Sequence, residues 1–167
     1  KLVQSIRNDI GEIEQLTEAM LEYSRIHSAK PDSLNGEVDL VQLAAYAVEQ
    51  LHWQDKIEIR LNASANKLSV CGDSVLIKMA LSNVLANALR YASSHITVEC
   101  YRDREAATIS ISDDGPGLSA EEKRELIKPF ARKARTADDT QGFGLGLAVV
   151  QRIMHMHGGQ LLLSDVD

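Results

Sequence analysis

The segment 73–91 of this 167-residue sequence constrains the fold more than any other part of it. Its apolar residues fall on nearly every side of a helix, and Asp73 stands where an N-terminal cap is expected. A helix of this kind must be buried between other layers of the structure. The segments 95–102 and 106–113 alternate between apolar and polar residues and predict two strands joined by a polar turn. The chain is therefore predicted to pack helices against a sheet.

The other periodic segments predict further elements: helices over 1–26, 39–52, 120–127 and 144–157, and strands over 56–62, 67–71 and 160–163. The stretch 27–37 is rich in Ser, Pro, Gly and charge, and we interpret it as a linker. It separates the helix 1–26 from a domain over 38–167. The single apolar stripe of that helix must bury against a partner, and we favour a coiled coil or bundle over packing on its own domain.

The composition excludes several classes of function. A net charge of −6 argues against nucleic-acid binding, which needs a basic face. No apolar run approaches the roughly 18 residues that would predict a membrane span. Cys71 and Cys100 lie in predicted strands without metal-binding spacing, so we expect buried free thiols of a cytoplasmic protein.

Polar side chains interrupt the apolar helix 73–91 along one stripe. Asn83, Asn87 and Arg90 are four and three residues apart and share this stripe. Buried amides need partners, so the two Asn side chains could bond to neighbouring backbone or lie at a wet edge. The other interpretation is a Mg²⁺ and phosphate site, because an amide oxygen is a neutral, hard ligand. The residues by themselves leave both interpretations open.

A glycine-containing turn, DDGPGLS, directly follows the strand predicted to end at residue 113. Asp113 stands at the strand end, while Gly115 and Gly117 permit a tight backbone turn. A plain Asp-Gly turn would account for the pattern. Alternatively, the Asp113 carboxylate accepts a hydrogen bond from the exocyclic amine of adenine. Guanine presents an oxygen at that position, so such a carboxylate would discriminate strongly between the two bases.

A second glycine-rich segment, GFGLGL, spans residues 142–147 and leads into the helix predicted over 144–157. Glycines at a helix start expose N–H groups at which phosphate oxygens are favoured, although a generic glycine-rich turn would look the same. The segment is not a dinucleotide fingerprint, because Leu147 occupies the place of the third glycine. No GK[ST] follows to make a P-loop.

The segment 128–141 between the two glycine-rich stretches has the least periodicity in the chain. It carries Arg132, Lys133 and Arg135 although the chain is acidic as a whole. It is either a solvated charged loop or a lid that closes on polyphosphate and anchors itself by Phe130.

The order of these motifs carries a family resemblance. NVLANALRY, DDGPGLS, PFARK and GFGLGL resemble the Asn box, first glycine box, Phe box and second glycine box of bacterial sensor histidine kinases. Those kinases belong to an ATPase superfamily with gyrase, Hsp90 and MutL, and the resemblance covers residues 38–164. It implies an α+β fold, a two-layer α/β sandwich with a mixed sheet covered on one face by three helices. It also implies that 1–26 is the second helix of the dimerisation and phosphotransfer hairpin.

The resemblance further implies ATP and Mg²⁺ as cofactors and assigns roles to individual residues. Asn87 matches the Mg²⁺ ligand, and Asn83 and Arg90 join it as catalytic residues, with Arg90 at the phosphates. Asp113 matches the residue that reads adenine. The other positions implied to bind nucleotide lie in the glycine boxes, the pocket wall and the lid: Tyr91, Gly115, Gly117, Arg132, Arg135, Gly142, Gly144, Leu145, Gly146 and Leu147.

The implied activity is that of an ATP-dependent protein-histidine kinase. Such an enzyme moves the γ-phosphoryl group of ATP to a His and then to an Asp of a response regulator receiver domain. The implied partners are ATP or ADP, the protein's own phosphoacceptor hairpin in a homodimer, and the receiver domain, with no nucleic acid. The implied location is the cytoplasmic side of an inner-membrane receptor.

The sequence departs from the family pattern in two respects. No H-[ED]-x-[RK]-x-P-like phosphoacceptor box surrounds any of its histidines: His27, His52, His95, His155 and His157. The sequence also ends at SDVD, short of the glycine-containing hairpin and last strand that the family usually adds. We therefore expect a fragment that lacks the acceptor helix and the last strand of the domain. His155 and His157 are explained instead as cations at a helix C-terminus.

Two alternative functions stay open at this point. An anti-sigma-factor serine kinase of the same superfamily would resemble ExxxN at the Asn box, where this chain has Asn83. A degenerate nucleotide-binding scaffold would lack motif residues, whereas this chain carries them all.

Overall fold

The computed structural model describes residues 34–51, 57–104, 106–131 and 144–165, with residues 10, 17, 20, 21, 24 and 26 near the N-terminus. The helices are α1 (Leu40–Glu49), α2 (Ser74–Tyr91), α3 (Ala120–Glu125) and α4 (Gly146–Met156). The strands are β1 (Gly36–Asp39), β2 (Glu58–Ala63), β3 (Ser69–Gly72), β4 (His95–Asp103) and β5 (Ala106–Asp113). In the part of the chain described, none of the helices has the length and apolar character of a membrane span.

The larger sheet is mixed, as predicted. β2 pairs in parallel with β4, with Glu58 opposite His95, and β4 pairs antiparallel with β5, with Ile96 opposite Asp113. The hairpin between β4 and β5 turns at Arg104, which adopts a left-handed φ of 53°. A second, two-stranded sheet joins β1 and β3 antiparallel.

One face of the larger sheet carries the core. Along β4, the side chains that point to this face are essentially inaccessible: Ile96, Val98 and Cys100. Their neighbours His95 and Glu99 point the other way and are exposed, which is the alternation of a half-buried strand. Leu85 of α2 and Ala44 of α1 pack in the same cluster, so the helices form the second layer. The predicted two-layer arrangement is therefore confirmed.

Helix caps fix the ends of the two helices that cover the sheet. Asp73 caps α2, as predicted, by accepting hydrogen bonds from the backbone of Val75 and Leu76 at 2.9 and 3.2 Å. Asp39 caps α1, and its Oδ1 also accepts from the Leu68 N–H at 3.1 Å. That second bond is the main reason why the pKa of Asp39 lies below its usual range.

Two predictions about strands and one about a thiol differ from the structure. β1 begins at Gly36, inside the segment interpreted as a linker. It is a strand because it pairs with β3, and its single buried residue, Val38, is too little apolar pattern to predict it from the sequence. The strand predicted over 160–163 is wrong: this segment is described, but no ladder pairs it with another strand. Cys71 is exposed rather than buried, whereas burial raises the pKa of the Cys100 thiol as expected of a core residue.

The described residues near the N-terminus are helical, in agreement with the prediction for 1–26. Ile26 is 1% exposed and packs into a cluster with Ala80 of α2 and Ile153 of α4. Met20 and Leu21 are each about half exposed. Ile26 thus packs on its own domain, and pairing of the helix with a second helix stays a prediction.

Candidate nucleotide site

A cleft of about 1780 Å³ opens between α2, the end of β5, the two glycine-rich segments and the stretch 157–165. Every predicted site residue that the structure describes lines this cleft: Asn83, Asn87, Arg90, Tyr91, Asp113, Gly115, Gly117, Gly144, Leu145, Gly146 and Leu147. The predicted positions Arg132, Arg135 and Gly142 lie outside the described residues. The fold therefore brings motifs that are far apart in sequence to one place.

The two Asn side chains of α2 differ in how their hydrogen-bonding groups are used. The Asn83 amide donates to the carbonyl of Met79 at 3.0 Å, which is the backbone bond that one interpretation predicted. Asn87 lies one turn further on and is half-buried, and its side chain makes no hydrogen bond to the described part of the chain. Asn87 lines the cleft, and its amide oxygen is left without a partner among the described residues.

The first residue of α4 lies directly against Asn83. A Cβ added to Gly146 would come 2.9 Å from the Asn83 Oδ1, so only glycine permits this approach without displacement. Leu145, at the cap of α4, supplies no side-chain cap. Among the described residues, no side chain caps the first N–H groups of α4, and Gly146 and Leu147 line the cleft, which is the arrangement that phosphate oxygens favour.

Asp113 occupies the opposite side of the cleft, at the end of β5, and is half-buried. Its Oδ1 accepts a hydrogen bond from the Gly115 N–H at 2.9 Å, and its Oδ2 has no partner among the described residues. A Cβ on Gly115 would come 2.5 Å from that Oδ1 and 2.6 Å from the Tyr91 carbonyl oxygen. The glycine therefore lets the turn close against the last turn of α2. One carboxylate oxygen remains for a ligand.

The base of the predicted lid is described as far as residue 131. Phe130 adopts a left-handed φ of 64° and is 60% exposed. Its role as the anchor of a lid stays a prediction, because residues 132–143 lie outside the described residues. Gly144 has a φ of 68°, and its backbone packs against that of Phe130 and Ala131. Gly144, just beyond the predicted lid, therefore packs against residues near the start of the lid.

Two residues with a structural role at the site were not predicted as such. The Asp114 carboxylate is held by the backbone and side chains of residues 93–95, and the Ser94 hydroxyl is the main cause of its lowered pKa. The interpretation of His157 as a helix-end cation is wrong. Its Nε2 accepts from the Asp73 N–H at 3.0 Å while its Nδ1 donates to the Ile153 carbonyl at 2.7 Å, so the ring is neutral.

The donor chemistry of the cleft suits a nucleotide with its Mg²⁺. Among the described residues, no group of three or more His, Cys, Asp or Glu side chains could hold a metal ion by itself. The open amide oxygen of Asn87 is a single hard ligand. That matches Mg²⁺ carried by a nucleotide, which takes few protein ligands and completes its shell with phosphates and waters.

Comparison with known proteins agrees with this geometry. Residues 72–167 match the family described as "Histidine kinase-, DNA gyrase B-, and HSP90-like ATPase". The adaptive-response sensory kinase SasA of Prochlorococcus marinus is 31% identical over 96% of this chain and 44% of its own length. The sensor histidine kinase CpxA of Escherichia coli is 31% identical over 76% of this chain and 27% of its own length.

A solved structure shows the same fold. The mycobacterial sensor histidine kinase MprB superposes with a TM-score of 0.65 at 27% identity, over 74% of this chain and 80% of that one. The chain belongs to the histidine kinase-, gyrase B- and HSP90-like ATPase family. Its relatives are sensor kinases, and the prediction of an ATP-binding catalytic module of that class is confirmed. The chain spans less than half the length of the two curated relatives.

Proposed function

We propose that this module binds Mg·ATP in the cleft and donates the γ-phosphoryl group to a histidine on a hairpin helix of the full-length protein. The phosphoryl group then passes to an aspartate of a response regulator. The observation that carries the proposal is the meeting, in one cleft, of an open amide oxygen on α2, an open carboxylate oxygen on β5 and the uncapped start of α4. We propose further that the module works on the cytoplasmic side of a membrane receptor, as one half of a homodimer.

The adenine base belongs at the end of β5. Asp113 is half-buried and keeps Oδ2 open, which fits an acceptor for the exocyclic amine of adenine. The neighbouring wall, including Ile109 and Ile111, is apolar and suits the faces of the ring. A guanine would set its carbonyl oxygen against the carboxylate, so the site should reject it.

The phosphates belong at the opposite end, between α2 and α4. Asn87 would hold Mg²⁺ there through its amide oxygen, and the ion would neutralise charge on the phosphate oxygens. Arg90 lies on the same stripe of α2, and its guanidinium lies 5.5 Å from the centre of the Tyr91 ring. The α4 N–H groups would receive phosphate oxygens. In the transfer, a neutral imidazole nitrogen bonds to the γ-phosphorus, the bond to the β–γ bridging oxygen breaks, ADP leaves, and the imidazole releases a proton.

Calorimetry with ATP and GTP, with and without Mg²⁺, tests the binding half of the proposal. ATP should bind more tightly than GTP, and Asp113→Asn should weaken ATP binding without unfolding the domain. Asn87→Ala should abolish the gain in affinity that Mg²⁺ provides, whereas Ser82→Ala, an exposed position on the same helix, should keep it. Equal affinity for ATP and GTP would remove Asp113 from its role.

Incubation with γ-labelled ATP tests the transfer half. The present chain has no histidine in a phosphoacceptor box, so it should bind ATP and not label itself. A longer chain that includes the preceding hairpin helix should become labelled, and the label should be acid-labile. Robust labelling of residues 1–167 at a Ser or Thr would overturn the proposal in favour of a serine kinase.

A further inference from the structure

Asp114 lies next to the proposed adenine-reading carboxylate, but both of its oxygens are used within the protein. Its Oδ1 accepts from the backbone N–H groups of Ser93, Ser94 and His95 at 2.8, 3.0 and 3.2 Å. Its Oδ2 accepts from the Ser94 hydroxyl at 2.6 Å and lies 3.2 Å from the His95 Nδ1. The carboxylate is 21% exposed. With both oxygens occupied, Asp114 is not available to bind a ligand directly.

The segment that Asp114 holds is the connection between α2 and β4. It begins at Ala92, the C-cap of α2, immediately after Tyr91 and Arg90. Asp114 itself follows the last residue of β5, which is Asp113. The Asp114 carboxylate therefore joins the C-terminal end of α2 to the C-terminal end of β5. α2 carries the residues proposed for the phosphates, and β5 ends with the residue proposed to read the base.

The ladder pair of Asp113 with Ile96 holds the end of β5, and the Asp114 carboxylate holds the turn that follows it. The backbone N–H of Asp114 reaches the His95 carbonyl only at 3.4 Å, a long bond, and the turn after it runs through Gly115 and Gly117. A carboxylate that accepts several N–H bonds is a strong acceptor, because bonds to an ionised group are roughly twice as strong as neutral ones. Together with the ladder pair and the Gly115 N–H bond, these bonds help to determine where the Asp113 carboxylate stands relative to Tyr91.

We propose that Asp114 is a positioning residue for nucleobase selection: it holds the Asp113 turn against the end of α2 so that Oδ2 of Asp113 meets adenine. The inference rests on the proposed function, because it requires that Asp113 reads the base. It assigns to Asp114 an effect on the preference for ATP over GTP, beyond an effect on affinity or stability. A residue with a purely structural role would weaken the binding of both nucleotides equally.

The test measures Kd for ATP and GTP on the 167-residue chain and compares their ratio between variants. Asp114→Ala removes all the acceptors, and it should lower the ATP preference about tenfold, the effect of misplacing one bond to a charged group. Asp114→Asn keeps a carbonyl oxygen for the N–H groups and should retain most of the preference. Asp103→Ala removes the same charge at the far end of β4 and should leave the ratio unchanged.

If Asp114→Ala does not fold, Ser94→Ala serves as a milder test, because it removes only the hydrogen bond from the Ser94 hydroxyl to the Asp114 Oδ2. It should lower the ATP preference in the same direction, by about two- to threefold. If the original chain prefers ATP and the variants keep that preference unchanged, the positioning role is refuted while the proposed function stands. If the original chain does not discriminate between ATP and GTP, the base-reading role of Asp113 fails and the inference fails with it.

Discussion

Gly115→Ala is the substitution that separates nucleotide recognition from folding most sharply. The added methyl would come 2.5 Å from the Asp113 Oδ1 and 2.6 Å from the Tyr91 carbonyl oxygen. Ordinary van der Waals contacts of a Cβ begin at 3.4 Å, so the turn must move by about 1 Å. The same Oδ1 accepts the Gly115 N–H bond at 2.9 Å, and the movement therefore displaces the base-reading carboxylate itself.

The magnitudes decide which effect an assay will see. Overpacking costs about 1–3 kcal/mol, and a domain of this size has about 5–15 kcal/mol of stability, so about 95% or more of the variant stays folded. Misplacing a hydrogen bond to a charged group costs about 1.5–3 kcal/mol, which corresponds to about a 10- to 150-fold rise in Kd. The loss of affinity should therefore greatly exceed any loss of folded protein.

The assay is ATP titration by calorimetry, with circular dichroism to follow the fold. Gly36→Ala is the matched control, because its methyl would come 2.9 Å from the Gly72 carbonyl oxygen, a comparable overpacking at a position that does not line the cleft. It should bind ATP as the original chain does. If the Gly115→Ala variant folds and binds ATP with undiminished affinity, the placement of the base beside Asp113 is refuted.

Three further substitutions test the surroundings of the site. Hydrogen bonds to the Asp114 carboxylate, above all the one from the Ser94 hydroxyl, lower the pKa of Asp114. The stability that this carboxylate gives to the fold is therefore complete above a pH of about 3.8 and is lost as the pH falls through the lowered pKa. In urea titrations, the free energy of unfolding of Asp114→Asn should be lower than that of the original chain at neutral pH, and the two values should converge only in acid. Gly72→Ala would place a methyl group 2.7 Å from the His157 ring, and calorimetric melting should show that the free energy of unfolding falls by about 1–3 kcal/mol. The ratio of the Kd values for ATP and GTP should not change. Leu85→Ala, at a side chain 1% exposed, should cost about 2–5 kcal/mol in urea unfolding.

The elements nearest to the site are those that the sequence predicts best. α2 has apolar residues on most of its sides and a capping carboxylate at Asp73, so the prediction over 73–91 agrees with Ser74–Tyr91. The hairpin of β4 and β5 alternates cleanly, and its predicted bounds differ from the observed ones by one residue at most. Local periodicity and capping were enough here because each element buries a face of its own.

The errors fall where structure depends on a partner distant in sequence. β1 has one buried residue, Val38, and its pairing with β3 is supported by Glu37, which accepts from Lys67 and Ser69 at 2.7 and 2.9 Å. The segment 160–163 has three consecutive leucines, yet it pairs with no described strand, and Leu162 is 73% exposed. Apolar content does not make a strand unless another strand supplies the ladder.

The adjacent carboxylates Asp113 and Asp114 show why a motif reveals only part of a site. Asp113 stands opposite Ile96 in the ladder, and residues directly opposite share a face, so its side chain points to the helix layer and the cleft. Asp114 lies beyond the last residue of the strand and turns toward residues 93–95, where three of its hydrogen-bond donors are backbone N–H groups. Backbone donors have no signature in side-chain sequence. The residue that reads the base can therefore be predicted from its motif, whereas the residue that holds it in place emerges only when the chain ends of β5 and α2 are seen together.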